Sequence, residues 1–135
     1  MASDSFSGIN QFHVFDVSAF LKGKTLAVKA CAPLQEYKDG QPTGKVIGTK
    51  VTIGILDDHT EYRAYSDGSV PDNSFKCFDV KLIGKMGFSL PKRSRVNLVN
   101  PTGTIYAAQG STRRDRISIS AEDIQVLQAK KPVGA

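Results

Sequence analysis

Two short runs of the chain concentrate side chains that bind anions. One is Lys92-Arg93-Ser94-Arg95; the other is Arg113-Arg114-Asp115-Arg116, preceded by Gly110-Ser111-Thr112. Arginine and lysine in such loops neutralise phosphates, and neighbouring serine and threonine hydroxyls donate hydrogen bonds to phosphate oxygens. The charge of the whole chain points the same way. Residues 1–80 hold 8 Lys and Arg against 10 Asp and Glu, and residues 81–135 hold 10 against 3. A basic half beside a neutral-to-acidic half is the footprint of a polyanion partner. Single strands also require rings on which bases stack. There is no Trp; Tyr62, Tyr65 and Tyr106 are the first candidates, and Phe75 and Phe88, flanking a strong strand pattern, are the next. Phe20 and Phe78 are assigned to the core.

Other chemistries find little to work with. His13 and His59 stand in no metal-ligand spacing, and no CxxC or HxxxH occurs, so no metal site is expected. Asp57-Asp58-His59 reads as a solvated turn rather than an acid/base or metal cluster. Gly40-Gln41-Pro42-Thr43-Gly44-Lys45 is one residue short of a phosphate-binding loop and lacks the following Ser or Thr. With no nucleophile elbow, no catalytic residue and no cofactor are expected, and the chain is read as a non-enzyme. Cys31 and Cys77, both in apolar runs, are expected to be buried free thiols in a cytoplasmic protein. No run is long and apolar enough to span a membrane, and the N-terminus lacks the pattern of a signal peptide.

The elements that must carry these residues are strands. Residues 1–10 are expected to form a frayed tail, 11–128 one domain and 129–135 a second tail. Asp16 is a helix N-cap for Val17–Lys22, and Gly23 is its stop. Thr25–Ala32 alternates, with Leu26, Val28, Ala30 and Ala32 expected on one face. A turn over Lys38–Gly44 leads into Lys45–Leu56, where Val51, Ile53 and Ile55 share a face and Gly48 and Gly54 mark bulges or bends. Glu61–Tyr65 is a short strand candidate. Ser74–Lys85 is the strongest, with Phe78, Val80 and Leu82 inward. Arg95–Val99, Thr104–Ala108 and Arg116–Ser120 follow, and Ser120-Ala121-Glu122-Asp123 resembles a capping box that would open one helical turn before Ile124–Leu127. Roughly six to eight short strands with turns between them predict an all-β domain with one or two short helices. A small Greek-key barrel of the oligonucleotide-binding (OB) kind suits the length and the charge.

The C-terminal half carries a further signal. Arg95-Val96-Asn97-Leu98-Val99-Asn100-Pro101, the Gly110 turn and Ile117-Ser118-Ile119-Ser120-Ala121-Glu122-Asp123-Ile124 together resemble the small OB-like accessory proteins of Gram-positive conjugative plasmids and integrative conjugative elements; Phe75–Lys85 resembles the strand before them. The resemblance begins near residue 49, and the N-terminal third departs from it. It implies sequence-tolerant binding of the transferred single-stranded DNA, or service as a helicase processivity factor, with a helicase, relaxase or other conjugation component as partner and a homo-oligomer on DNA as one possible form. Two roles therefore stay open at this point: a single-strand binder whose contacts include Lys92, Arg93, Arg95, Arg113, Arg114 and Arg116, and a docking accessory with little DNA binding of its own.

Overall fold

The computed structural model describes residues 4–7, 16–107, 109–110, 112 and 115–127. One short helix, α1 (Val17–Leu21), precedes seven strands: β1 (Lys24–Lys38), β2 (Gln41–Asp58), β3 (Cys77–Ile83), β4 (Arg95–Val99), β5 (Thr102–Tyr106), β6 (Arg116–Ser120) and β7 (Asp123–Val126). The helix begins where expected, because the Asp16 carboxylate accepts a hydrogen bond from the Ala19 amide at 3.1 Å. It ends before Gly23, whose φ of +82° disfavours any side chain and whose backbone neighbours His59 and Thr60 would crowd one.

The fold is all-β and OB-like, a strongly curled sheet in the order β5-β6-β3-β2-β1-β4-β7. β1, β2 and β3 form an antiparallel meander, β3 runs parallel to β6, and β4 returns to pair with β1. The seven strands behave as five. The β4–β7 register, which sets Val99 opposite Asp123, passes without a shift into the β5–β6 register, which sets Thr102 opposite Ser120. Each of the last two long strands is thus a single path bent once, at Asn100-Pro101 and at Ala121-Glu122. The corners are tied by the Glu122 amide donating to the Val99 carbonyl at 3.0 Å and by the Asn100 amide group donating to the Glu122 carboxylate at 2.9 Å. Asn100, at φ +47°, supplies the left-handed turn. The expected helical turn before Ile124 does not form. Asp123 enters β7 instead, because ladder pairing with Val99 satisfies backbone groups that a lone helical turn would leave open.

The core lies inside the curl. Val51, Ile53, Ile55, Phe78, Val80 and Leu82 point inward from β2 and β3, and Val96, Ile117, Ile119 and Ile124 close it from the last strands. Phe6 belongs to it as well. It is buried against Phe20 and Phe78, with ring centroids 5.8 and 6.4 Å apart, and the Phe6 amide donates to the Asp115 carbonyl. Residues 4–7 are therefore packed onto the domain rather than frayed; burial of one aromatic ring outweighs the polar character of its neighbours. Residues 129–135, expected as a tail, lie outside the described residues.

β-Bulges break the simple alternation and set which residues face outward. In β1, Val28 pairs with Ile53 and Ala30 with Thr52, so Lys29 is an extra residue. The phase shifts there, and Ala30 and Ala32 are exposed instead of sharing the inward face of Leu26 and Val28, while Cys31 packs partly against the core. In β2, Leu26 pairs with Ile55 and Thr25 with Asp57, leaving Leu56 as the extra residue and turning Asp58 inward. The predicted strand over Glu61–Tyr65 is loop. The expected loop over Lys38–Gly44 is reduced to Asp39-Gly40, and the two strands run on to its edge as a long hairpin arm. Gly48 sits at the base of that arm, so close to the Leu82 carbonyl that any Cβ would collide with backbone. Cys31 and Cys77 are unpaired thiols as expected, yet half-buried rather than buried.

Candidate nucleic-acid interface

The alternation that fills the core also builds an outer face on β1, β2 and β3. Lys50, Thr52 and Gly54 point outward from β2; Cys77, Asp79, Lys81 and Ile83 point outward from β3. The register sets Lys50 opposite Lys81, Thr52 opposite Asp79 and Gly54 opposite Cys77. This face carries two hollows, one around the Lys50–Lys81 row and one around the Gly54–Cys77 row, and in the row between them the Thr52 hydroxyl donates to the Asp79 carboxylate at 2.7 Å.

The first hollow, about 610 Å³, lies at the arm end of the sheet. Its floor is Lys50, Lys81, Asp79 and Ile83, with Leu34, Tyr37 and Ile47 from the arm and Tyr106, Ile117 and Ser118 from β5 and β6 as walls. Tyr37 and Tyr106 are 65% and 42% exposed. The two lysines are directly opposite one another, and like charges in that position repel across strands. The Asp79 carboxylate shares the floor with them, and the tyrosine rings stand on either wall. In an OB barrel the face of the second and third strands, with the loop between the first two and the loop between the last two, receives oligonucleotides. Here the strand face corresponds to β2–β3 and the first loop to the β1–β2 arm.

The second hollow, about 670 Å³, lies at the opposite end of the same face. Ala27, Gly54 and Cys77 form its floor as one cross-strand row, which Arg95 extends on β4 opposite Ala27. Lys29, Leu56, Phe75, Lys92 and Arg93 form its walls. Phe75 is 84% exposed. Lys92, Arg93 and Arg95 are exposed, and Arg95 faces outward because its neighbour Val96 fills the core.

The candidate residues thus divide. Lys92, Arg93 and Phe75 come together at the second hollow, with Arg95 in its floor row, and Tyr106 stands at the first. Arg116 pairs with Tyr106 across the β5–β6 ladder, but it is half-buried and its Nε lies 3.9 Å from the Asp115 carboxylate. That carboxylate already neutralises part of its charge, so Arg116 is a poorer phosphate ligand than its sequence neighbours implied. Arg113 and Arg114 lie outside the described residues. Tyr65 stands on the loop between β2 and β3 and lines neither hollow. Phe88 packs partly against the core with the Lys85 ammonium 5.9 Å from its ring, which withdraws it from stacking.

Tyr62 has a different role altogether. Its hydroxyl donates to the Asp58 carboxylate at 2.9 Å and accepts from the Lys24 ammonium at 2.8 Å and from the Asn73 amide at 2.9 Å. Lys24 and Asp58 form an ion pair at 3.4 Å with both side chains fully buried, and the Lys24 ammonium also donates to the Phe20 carbonyl and the Thr60 hydroxyl. Burial lowers the Lys24 ammonium from its ordinary value, against the pull of Asp58. Burial acts to raise the Asp58 carboxyl, but hydrogen bonds from Thr60 and Asn73 and the charge of Lys24 outweigh it and hold the group low. Burial also pushes the Tyr62 phenol upward. This cluster locks the β2–β3 loop to the barrel. Asp58 is therefore not a solvated turn residue, and the neighbouring His59 amide donates to the Gly23 carbonyl.

Sequence reasoning missed Tyr37, Lys50, Lys81 and Lys29. Lys50 and Lys81 were visible as outward positions of β2 and β3, but only the register sets them side by side. Among the described residues, no three His, Cys, Asp or Glu side chains gather as metal ligands, and no helix is long and apolar enough to cross a membrane. Comparison with protein-family models, curated proteins and solved structures gave no match.

Proposed function

We propose that this protein binds single-stranded nucleic acid, DNA first, along the outer face of β1–β3, without marked sequence preference. The observation that carries the reading is the Lys50–Lys81 pair set between the exposed rings of Tyr37 and Tyr106. Phosphates sit on the lysines and bases lie against the tyrosines. Affinity on this face is electrostatic and stacking-based, as lysines and exposed rings supply it. The conjugative setting implied by the sequence resemblance belongs to this proposal: a cytoplasmic accessory acting on a transferred strand.

Fluorescence anisotropy with a labelled single strand, its duplex and the matching RNA, at low and moderate salt, tests it. Binding that prefers the single strand and weakens steeply with salt supports the reading, because each phosphate contact on a single strand contributes about −0.7 to the slope of log K against log salt. Equal affinity for duplex, or no binding at micromolar protein, overturns it. A second reading, docking on a helicase, relaxase or secretion component, has one observation in its favour. The β1–β2 arm projects from the barrel with Tyr37 and Val46 exposed on it, a surface suited to a protein partner. Capture of a purified helicase by a protein that binds no single strand would favour it.

A further inference from the structure

The second hollow is built at a conformational cost that the core does not require. Of the four non-glycine residues with positive φ among the described residues, two line it: Phe75 and Arg93, both at φ +70°. A left-handed conformation at a bulky residue such as Phe is rare and unfavourable. Both positions are locked by backbone hydrogen bonds to the barrel, Phe75 from its amide to the Ile55 carbonyl at 2.6 Å and Arg93 from its amide to the Val28 carbonyl at 2.7 Å. Two β-bulges converge on the same place, and their extra residues, Lys29 and Leu56, both face it. Bulges re-aim side chains and gather beside functional sites. The floor is made of small residues, Ala27, Gly54 and Cys77, and a Cβ added at Gly54 would meet only the Cys77 sulfur, at 3.9 Å. The result is a shallow apolar seat beside one upstanding phenyl ring, with Lys29, Lys92 and Arg93 around it and no carboxylate among its lining residues.

Resting on the single-strand reading above, we infer that this hollow is a second and separable contact for the same strand. It takes one base flat against the Phe75 ring, with the flanking phosphates on Lys29, Lys92 and Arg93. The two hollows share one sheet face. From the Gly48–Ile83 pair to the Gly54–Cys77 pair the strands advance about 20 Å, at about 3.3 Å per residue. A strand on the order of six nucleotides bridges that distance at the ~3.4 Å spacing of stacked bases. Asp79, in the floor of the first hollow, is hydrogen-bonded to Thr52 on the way to the second, so the strand passes that acidic residue between its contacts with Lys50 and Lys81 and those with Phe75. An acidic peptide of a partner protein is the competing occupant; the single exposed ring and its flanking cations match one nucleotide unit better.

The test uses the full chain and a fifteen-nucleotide oligothymidine carrying one 2-aminopurine, whose fluorescence is quenched when the base stacks. Phe75→Asn suits the left-handed backbone and removes the ring; Phe75→Tyr keeps the ring; Arg93→Gly keeps the backbone and removes the cation. Wild type and Phe75→Tyr are expected to bind and to change the probe signal alike. Phe75→Asn should lose the stacking signal and bind roughly 5- to 100-fold more weakly, the worth of one stacked base. Arg93→Gly should weaken binding and lower its salt dependence, with melting temperatures of all variants near wild type. If wild type binds and Phe75→Asn and Arg93→Gly bind equally well, the inference fails while the single-strand reading stands, and the hollow passes to a protein partner. If wild type does not bind at all, both fail.

Discussion

The loop between β2 and β3 begins in one charged cluster and ends in another, and the two are built on opposite principles. At Asp58 the chain turns inward, and a lysine, an aspartate, a tyrosine and an asparagine bond to one another. At Phe75 it turns outward and presents a ring to solvent beside Lys29, Lys92 and Arg93. Side-chain chemistry is similar in the two places; what differs is whether each charge has a partner within the fold. In the first cluster the charges hold the loop and have no capacity left for a ligand. In the second, cations are gathered without a lining carboxylate, at the cost of two left-handed residues. A Leu56 bulge separates the two behaviours, because the extra residue sends Leu56 outward and Asp58 inward.

The largest effect should come from breaking the buried cluster. Asp58→Ala strands the Lys24 ammonium without its counter-charge, and a loss of about 3–5 kcal/mol is expected in urea unfolding. Acid should do part of the same thing. The folded Asp58 carboxyl lies below its unfolded value, so its contribution is complete above about pH 5 and is lost progressively as pH falls through the unfolded value to the lower, folded one. A melting temperature that holds steady from neutral pH to about pH 5 and then falls, with a flatter acid limb in Asp58→Asn, checks the sign.

Tyr62→Phe should cost less, about 1–3 kcal/mol, for leaving the buried Asp58 and Asn73 groups short of a partner. Its affinity for a single strand should match wild type, because the ring is kept and only the buried hydroxyl is lost. The smallest effect on stability, within about 0.5 kcal/mol, is expected for Lys92→Ala/Arg93→Ala/Arg95→Ala, since all three are exposed. The same triple variant should reduce the salt slope of single-strand binding by about 2, three phosphate contacts having been removed. Calorimetry and a salt titration on one preparation separate the two regions: one set of substitutions moves stability alone, the other binding alone.

Much of the barrel was legible in the sequence because burial leaves a period of two. Phe78, Val80 and Leu82 in β3, and Ile117 and Ile119 in β6, are buried where alternation put them. The Asp16 cap, the inward face of β2 and the all-β, OB-like class were readable for the same local reasons. The basic clusters were legible as charge, but not as a site. Lys92 and Arg93 acquire Phe75 and, from more than sixty positions away, Lys29 as neighbours only through the folded sheet.

What only the tertiary structure decided follows from phase and register. A bulge costs one residue and leaves no compositional mark, so the outward turn of Ala30 and Ala32 and the inward turn of Asp58 could not be read from alternation. Tyr62 looks the same in sequence as Tyr106; one is buried in a hydrogen-bond network and the other walls an open hollow because of what the fold sets opposite each. The apolar pattern by itself determined which residues leave water, since that depends on each side chain and its immediate neighbours. Which charges are paired inside the fold and which remain exposed on its outer face depends on contacts across strands, and these exist only once the sheet has formed.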